Sequence, residues 1–439
     1  MKVLCVDFGS TFTKAALVDT ASGELLGTTS HPTTVETDVI EGFEACRATL
    51  GNPDVPTLAC SSAGGGLRIA VLGNEQLVTS EAGRRVALSS GGKVVHVGSG
   101  LLDEDGMQRL HDSAPDVVLL TGGTDGGNSE VLEANASALG VAGWAKPVVV
   151  AGDVLAQARV AQLLAHTPHV VAANVVPKIG VLAPESARAA IREMFLRHVI
   201  GGKHLSESPR FVEMVRGATP DVVLTGVEVV AELAGDVVVV DIGGATTDVH
   251  SVVDLDPEEG ALGRDVVATT RVTRTVEGDL GMRWSAASTV AEGVSAGLLD
   301  ESLIPAGELR HEQPGYLPTT AAEQHVDDQI AATALTLGVR RHCGRSRVVV
   351  GPDGRVIERS GKDLREVDLL VGSGGVLRHA TPERAERILT TVVGRSDEGW
   401  QYPESPRTVV DHDYVLAAVG LLAGSFPAAA RALAGRLLR

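Results

Sequence analysis

A chain of 439 residues, 44% apolar and 21% charged, is long enough for two or more domains with real cores. A formal net charge of −18 argues against nucleic acid, which needs a basic face, and against a peripheral role on anionic lipid. Aromatics are only 3%, so the cores must be built from Val, Leu and Ala. The four cysteines, Cys5, Cys46, Cys60 and Cys343, have no C-x-x-C spacing and no metal-ligand register. Asp7 interrupts the first apolar run too early for a signal peptide, and no apolar run reaches the roughly 18 residues of a membrane span. A reducing, cytoplasmic location is expected, with no membrane and no nucleic acid among the partners.

In chain order, the β-branched run Val3–Val6 ends on Asp7, and Gly9, Ser10 and Thr11 make a tight turn before Ala15–Val18. The spacing predicts a strand, a phosphate-sized turn and a second strand. Glu24–Ser30 reads as a third strand, and Val39, Ile40, Phe43, Cys46 and Leu50 recur at helical spacing. Val55–Cys60 returns to strand and runs into Ser61-Ser62-Ala63-Gly64-Gly65-Gly66. From about 67 to 177 the pattern is β/α alternation, with strands expected at Val94–Val97, Val117–Leu120, Val148–Val150 and Val170–Ala173. Buried runs of this kind, each leading into a helix or turn, predict a parallel, doubly wound sheet. The turn Gly122–Gly127 nests an anion, contacts a partner, or, as is commoner for such turns, just lets a strand enter a helix closely. Pro184-Glu185 opens a helix carrying Ile191, Phe195 and Val199, and Val222–Leu233 is a shorter helix carrying Glu228 and Glu232.

The opening pattern then returns. Val237–Val240 ends on Asp241, followed by Gly243, Gly244, Ala245, Thr246, Thr247, Asp248 and Val249. Asp7 aligns with Asp241, Gly9 with Gly243 and Thr13 with Thr247, while Lys14 and Asp248 share a place with opposite charge. Such a pair suggests two facing hairpins closing on one ligand. Thr273–Arg283 reads as a charged, glycine-bearing loop lining a cleft. Thr320 and Glu323 form a capping box for a helix through Leu337. Val348–Ile357 reads as a hairpin turning at Gly351-Pro352-Asp353-Gly354. Asp368–Val371 is a buried strand entering Gly372-Ser373-Gly374-Gly375, Asp413–Ala423 an apolar helix with Gly420 in its middle, and Pro427 starts a last helix.

A carboxylate at a strand end can hold Mg²⁺ through its water shell, since Mg²⁺ dehydrates reluctantly. Glycines let backbone N–H groups approach phosphate oxygens, with Ser10, Thr11, Thr246 and Thr247 as hydroxyl donors and Lys14 as a counter-charge. No P-loop, nucleophile elbow or zincin motif is present.

In order and spacing, Asp7–Lys14, Asp241–Asp248, Val371–Gly375 and the helix around Gly420 resemble the actin, Hsp70 and sugar kinase (ASKHA) superfamily. They are similar to its two phosphate motifs, its adenosine motif and its second connecting helix. The resemblance implies an α/β, two-lobed actin-like ATPase fold, a duplicated ribonuclease H-like fold, with an additional α/β insertion in the first half. The expected division is a first lobe at 1–235 including the insertion at about 67–177, a second lobe at 236–410, and C-terminal helices at 411–439 returning towards the first. Ser61–Arg68, Thr121–Asn128, Arg274–Gly281 and Val371–His379 narrow the likeness to the MutL (GlmL) family associated with glutamate mutase, which is unrelated to the mismatch-repair MutL.

That family implies an ATP-binding, ATP-hydrolysing accessory protein, a chaperone or reactivating factor for an adenosylcobalamin-dependent mutase. Carried over by position, Asp7, Asp241 and Asp248 would be catalytic, with Asp7 and Asp241 holding Mg²⁺ through water. Gly9, Ser10, Thr11 and Lys14 would hold phosphates, as would Gly243, Gly244, Thr246 and Thr247. Gly372, Gly374 and Gly375 would meet the nucleoside. The alternatives from other classes are a small-molecule kinase of the sugar or acid kinase type, for which no dedicated hydroxyl base is evident, and an actin-like filament or scaffold. Neither the particular mutase nor the oligomeric state is legible.

Overall fold

The structure is a computed structural model that describes residues 1–254, 270–351 and 354–439. The chain divides into two compact units. One holds Met1–Gly226 with Ala417–Leu433; the other starts at Val227 and takes up Arg271–Leu416 with Ala434–Arg439.

In the first unit, β1 (Lys2–Phe8), β2 (Phe12–Asp19) and β3 (Leu25–Pro32) form an antiparallel meander. β4 (Thr57–Ser61) lies parallel to β1 on its other side. The alternation of the 67–177 stretch then appears as β5 (Leu67–Gly73), β6 (Gly92–Ser99), β7 (Val117–Leu120), β8 (Val148–Val150) and β9 (His169–Val171). These pair in the order β6-β5-β7-β8-β9, every pair parallel. The three inner strands of this sheet, β5, β7 and β8, are buried on both faces, as a parallel sheet requires. Ile69, Val71, Leu119 and Val149 share one core with the β1 sheet, while Ala70, Leu72, Val118, Leu120 and Val150 pack on Leu132, Leu139 and Val160 of the covering helices. The chain then returns through β10 (Val215–Ala218) to complete the first sheet, ordered β10-β4-β1-β2-β3.

The second unit repeats that sheet. β11 (Val237–Ile242), β12 (Thr247–Val252) and β13 (Val272–Glu277) are the antiparallel meander. β14 (Arg345–Gly351) and β15 (Gly354–Ser360) pair as a separate hairpin. β16 (Leu369–Ser373) and β17 (Arg407–Val410) add in parallel, giving the order β13-β12-β11-β16-β17. The two sheets therefore share one topology, third-second-first-fourth-fifth, with the same parallel and antiparallel pairs. The fold is α/β, a duplicated ribonuclease H-like arrangement of the actin-like class, carrying an α/β insertion in the first half.

Several expectations change. Thr273–Glu277 is not a loop: Val272, Thr273, Thr275 and Val276 belong to β13, where β-branched residues pair with β12. Only Gly278–Arg283 remains irregular. Leu67–Gly73, unread as a strand because three glycines precede it and Arg68 interrupts its apolar run, is an interior strand of the insertion, between β6 and β7. The helix expected at Val222–Leu233 starts earlier, at Thr219, and ends at Ala234. The Val348–Ile357 hairpin is present as paired strands, but its turn residues Pro352 and Asp353 lie outside the described residues.

The capping box is formed on both sides. Thr320 accepts from the Glu323 amide, the Glu323 carboxylate accepts from the Thr320 amide, and the helix runs Ala321–His342. All four cysteines are buried and free, and burial pushes the Cys5 thiol up to about 12.

Candidate functional site

Each meander opens with a strand that ends in aspartate and turns on glycine, and the two turns close identically. The Gly9 amide donates to the Phe12 carbonyl at 3.1 Å, and the Gly243 amide to the Thr246 carbonyl at 2.9 Å. A Cβ at Gly9 would lie 2.6 Å from Phe12 O, and one at Gly243 would lie 2.9 Å from Thr246 O. Only glycine fits so tight a return. Cross-strand register pairs Asp7 with Lys14 and Asp241 with Asp248, the correspondence read in the sequence.

In the first unit Asp7 is buried, and Ser10 and Thr11 are exposed at the turn. Asp7 Oδ1 accepts from the Thr219 hydroxyl at 2.6 Å and from the Cys60 thiol at 3.6 Å; Lys14 Nζ stands 3.8 Å from Oδ2. Burial and the Asp7 charge together push the Cys60 thiol well above its usual value. Thr219 escaped the sequence reading. Its signal was the Thr-Pro-Asp start of a helix, with proline inside the first turn.

In the second unit the residue opposite the aspartate is an acid, and the cation comes from the next strand. Arg274 of β13, itself buried, binds Asp248 Oδ1 through Nη2 at 2.5 Å and Nε at 3.1 Å. The Thr246 hydroxyl donates to Asp248 Oδ2 at 3.1 Å. Asp241 Oδ2 accepts from the Tyr414 hydroxyl at 3.3 Å, and Tyr414 adopts a left-handed backbone, φ 57°. Nearby, Asp411 is buried and accepts from the amides of Val415 and Leu416. Burial raises its carboxyl to about 6, and those amides partly offset the rise. Arg274 and Tyr414 received no role from sequence, because each is defined by a partner distant along the chain; Asp411, whose amide partners lie only four and five residues ahead, was missed although its signal was local.

Other expected residues sit differently. The Thr247 side chain is fully buried in β12, and its hydroxyl has no hydrogen-bond partner among the described residues. Gly372 and Gly374 are both buried. A Cβ at Gly372 would press on Leu377 at 2.7 Å, and one at Gly374, φ 97°, would lie 2.2 Å from the Ile242 carbonyl. Their glycine requirement is thus met by packing within the second unit, whereas Gly375 is exposed with open space around it. Gly420 packs inside the first unit, where a Cβ would fall 1.9 Å from the Val222 carbonyl. Among the described residues, no group of three or more His, Cys, Asp or Glu gathers as a direct metal cage, and no helix is long and apolar enough to cross a membrane.

Two ribonuclease H-like units in one chain, each with an Asp-x-Gly hairpin at the end of its first strand, place the protein in the actin-like class of folds. Within that class, the chain belongs to the MutL protein family, whose model matches residues 3–438. It is 35% identical over 445 residues to Protein MutL of Clostridium tetanomorphum, covering 97% of this chain and 96% of that protein. Among solved structures it is similar to acetone carboxylase in a nucleotide-free form, at 14% identity and TM-score 0.41, over 96% of this chain and 70% of that one. It is also similar to the activator of 2-hydroxyisocaproyl-CoA dehydratase from Clostridium difficile with bound ADPNP, at 10% identity and TM-score 0.35, over 98% and 96% of the two chains.

Proposed function

We propose that this protein binds Mg-ATP, hydrolyses it, and serves as an accessory factor for an adenosylcobalamin-dependent mutase such as glutamate mutase. The observation that carries the nucleotide half is the duplicated turn: the same glycine return, at the same register from an aspartate, in two separate sheets. Family membership supports the partner half. The residues present suit the ligand. Glycine at 9, 243 and 244 keeps the turn backbone approachable, and the hydroxyls of Ser10 and Thr11 are exposed beside it.

In this reading Asp7 in the first unit and Asp241 in the second are the acids that would hold Mg²⁺ through water, and the ion would supply counter-charge to phosphate. Lys14 balances charge at the first turn. Asp248 is paired with Arg274 and accepts from the Thr246 hydroxyl, which it orients. Thr219 fixes the Asp7 carboxylate so that its second oxygen stays turned towards Lys14.

The test is ATP turnover with and without Mg²⁺, followed by co-purification with mutase subunits in the presence of Mg-ATP. Metal-dependent turnover and nucleotide-dependent capture support the proposal. ADP release that depends on an added sugar or carboxylic acid, with a phosphorylated product, would replace it with a kinase.

A further inference from the structure

In both units the segment leaving the third strand reaches back to the hairpin turn of the first two. After β3, the Thr33 hydroxyl donates to the Gly9 carbonyl at 2.8 Å, and the Thr33 amide donates to the Thr11 carbonyl at 2.9 Å. After β13, the Met282 amide donates to the Gly243 carbonyl at 3.0 Å and the Arg283 amide to the Gly244 carbonyl at 2.8 Å. The Ser285 hydroxyl donates to the Ala245 carbonyl at 2.6 Å. Three consecutive carbonyls of the second turn are therefore engaged by one segment, Met282–Ser285.

A trans peptide is planar, so its carbonyl and the following amide point in opposite directions; no cis bond occurs in the described chain. Holding the carbonyls of Gly243, Gly244 and Ala245 turns the amides of Gly244, Ala245 and Thr246 each away from the donor that holds its peptide. In the first turn, holding the Gly9 carbonyl does the same for the Ser10 amide.

Two features separate this from ordinary loop packing. Ser285 stands at the N-cap of the helix Ala286–Ser295 yet makes no capping hydrogen bond with its side chain, although serine there usually caps. Its hydroxyl serves the Ala245 and Gly278 carbonyls instead. Arg283 is anchored as well as bonded. Its Nη2 meets Asp327 Oδ2 at 2.9 Å and its Nε the Tyr316 carbonyl at 2.9 Å, while buried Arg310 holds the other Asp327 oxygen at 2.6 Å. A Cβ at Gly281 would come within 2.8 Å of the Gly244 carbonyl, so the strap lies as close as backbone allows.

We infer that Thr33 in the first unit, and Ser285 with Arg283 braced by Asp327 and Arg310 in the second, are positioning residues, each pre-aiming the turn amides of its own unit at phosphate oxygens. The inference rests on the phosphate reading of those turns. Preorganised amides need no reorientation when the anion arrives, which is where such groups gain over water.

The experiment titrates Mg-ADP into the full chain, comparing Ser285→Ala and Ser285→Thr, then Thr33→Val and Thr33→Ser. Each deletion should weaken binding about fivefold, the size of one lost neutral hydrogen bond, and each hydroxyl-retaining variant should restore it. Amide resonances of Ala245 and Thr246 in the nucleotide-free protein should shift in Ser285→Ala and return in Ser285→Thr. Wild-type affinity in both deletion variants overturns the inference. If the wild type itself ignores Mg-ADP, the nucleotide reading fails, and the resonances still decide the strap: no shift in Ser285→Ala refutes it.

Discussion

At the residue scale, Asp7 and its partners give the sharpest expectation. Asp7→Asn keeps an oxygen for the Thr219 hydroxyl but loses the charge that faces Lys14 and that the proposed Mg²⁺ site requires. Mg-dependent turnover should fall by roughly 10- to 100-fold, the usual effect of disturbing groups around a metal, while cooperative unfolding persists. Thr219→Val should lower turnover by about tenfold on the same basis, and Thr219→Ser should restore most of it. Steady-state turnover beside urea denaturation separates the two effects, and loss of cooperative unfolding in Asp7→Asn would make it a structural acid.

A second residue reports through pH. Lys362 is buried, donating to the Arg271 carbonyl at 2.7 Å and the Thr273 hydroxyl at 3.1 Å, and burial brings its ammonium down to about 7. Its folded value lies below its unfolded one, so the native state releases this proton first. Its contribution to stability is therefore full above the unfolded value near 10.5 and lost as pH falls towards 7. Wild-type urea midpoints should rise between pH 7 and 9, and Lys362→Met should flatten that rise. A variant with an undiminished slope would show that another group is responsible.

At the element scale, the helix Leu416–Ala423 lies against the start of the helix Thr219–Ala234 through Gly420. A methyl 1.9 Å from the Val222 carbonyl cannot be absorbed by a side-chain rotation, because the obstacle is backbone. Gly420→Ala should cost roughly 1–3 kcal/mol, as overpacking does. The loss would show as a lower denaturation midpoint of the first unit, without direct contact to either turn. An unchanged midpoint would mean that the two helices slide apart freely. The same scale explains why strand limits were legible only in part. Val237–Val240 and Leu369–Val371 announce themselves as buried runs, whereas in β13 the β-branched residues are interrupted by Arg274 and followed by Glu277, and its pairing with β12 is what marks it as a strand.

At the scale of the whole molecule, a ligand that binds only the folded chain raises its stability by mass action. Saturating Mg-ATP at 100 times its dissociation constant should add about 2.7 kcal/mol. Thermal denaturation with Mg-ATP, with ATP and a chelator, and with neither should rank the melting temperature in that order. Equal midpoints in all three would remove the nucleotide from the account. The net charge of −18 adds that high salt should stabilise the protein modestly by screening self-repulsion, an effect the chelator control separates from ligand binding.

What the sequence by itself determined is whatever depends on local pattern or on repetition. The Asp-x-Gly turns, their matching register, the β/α alternation of 67–177 and the Thr320–Glu323 cap were all readable, because short-range sterics and hydrogen bonds settle them. What only the tertiary structure decided is which distant groups meet. Thr219 reaches Asp7 across 212 positions and Tyr414 reaches Asp241 across 173, and no local rule forecasts such a meeting. The glycines show the same division. Gly9 and Gly243 serve their own turns and could be assigned from sequence, while Gly374 and Gly420 are glycine because a carbonyl from another element occupies the space a Cβ would need.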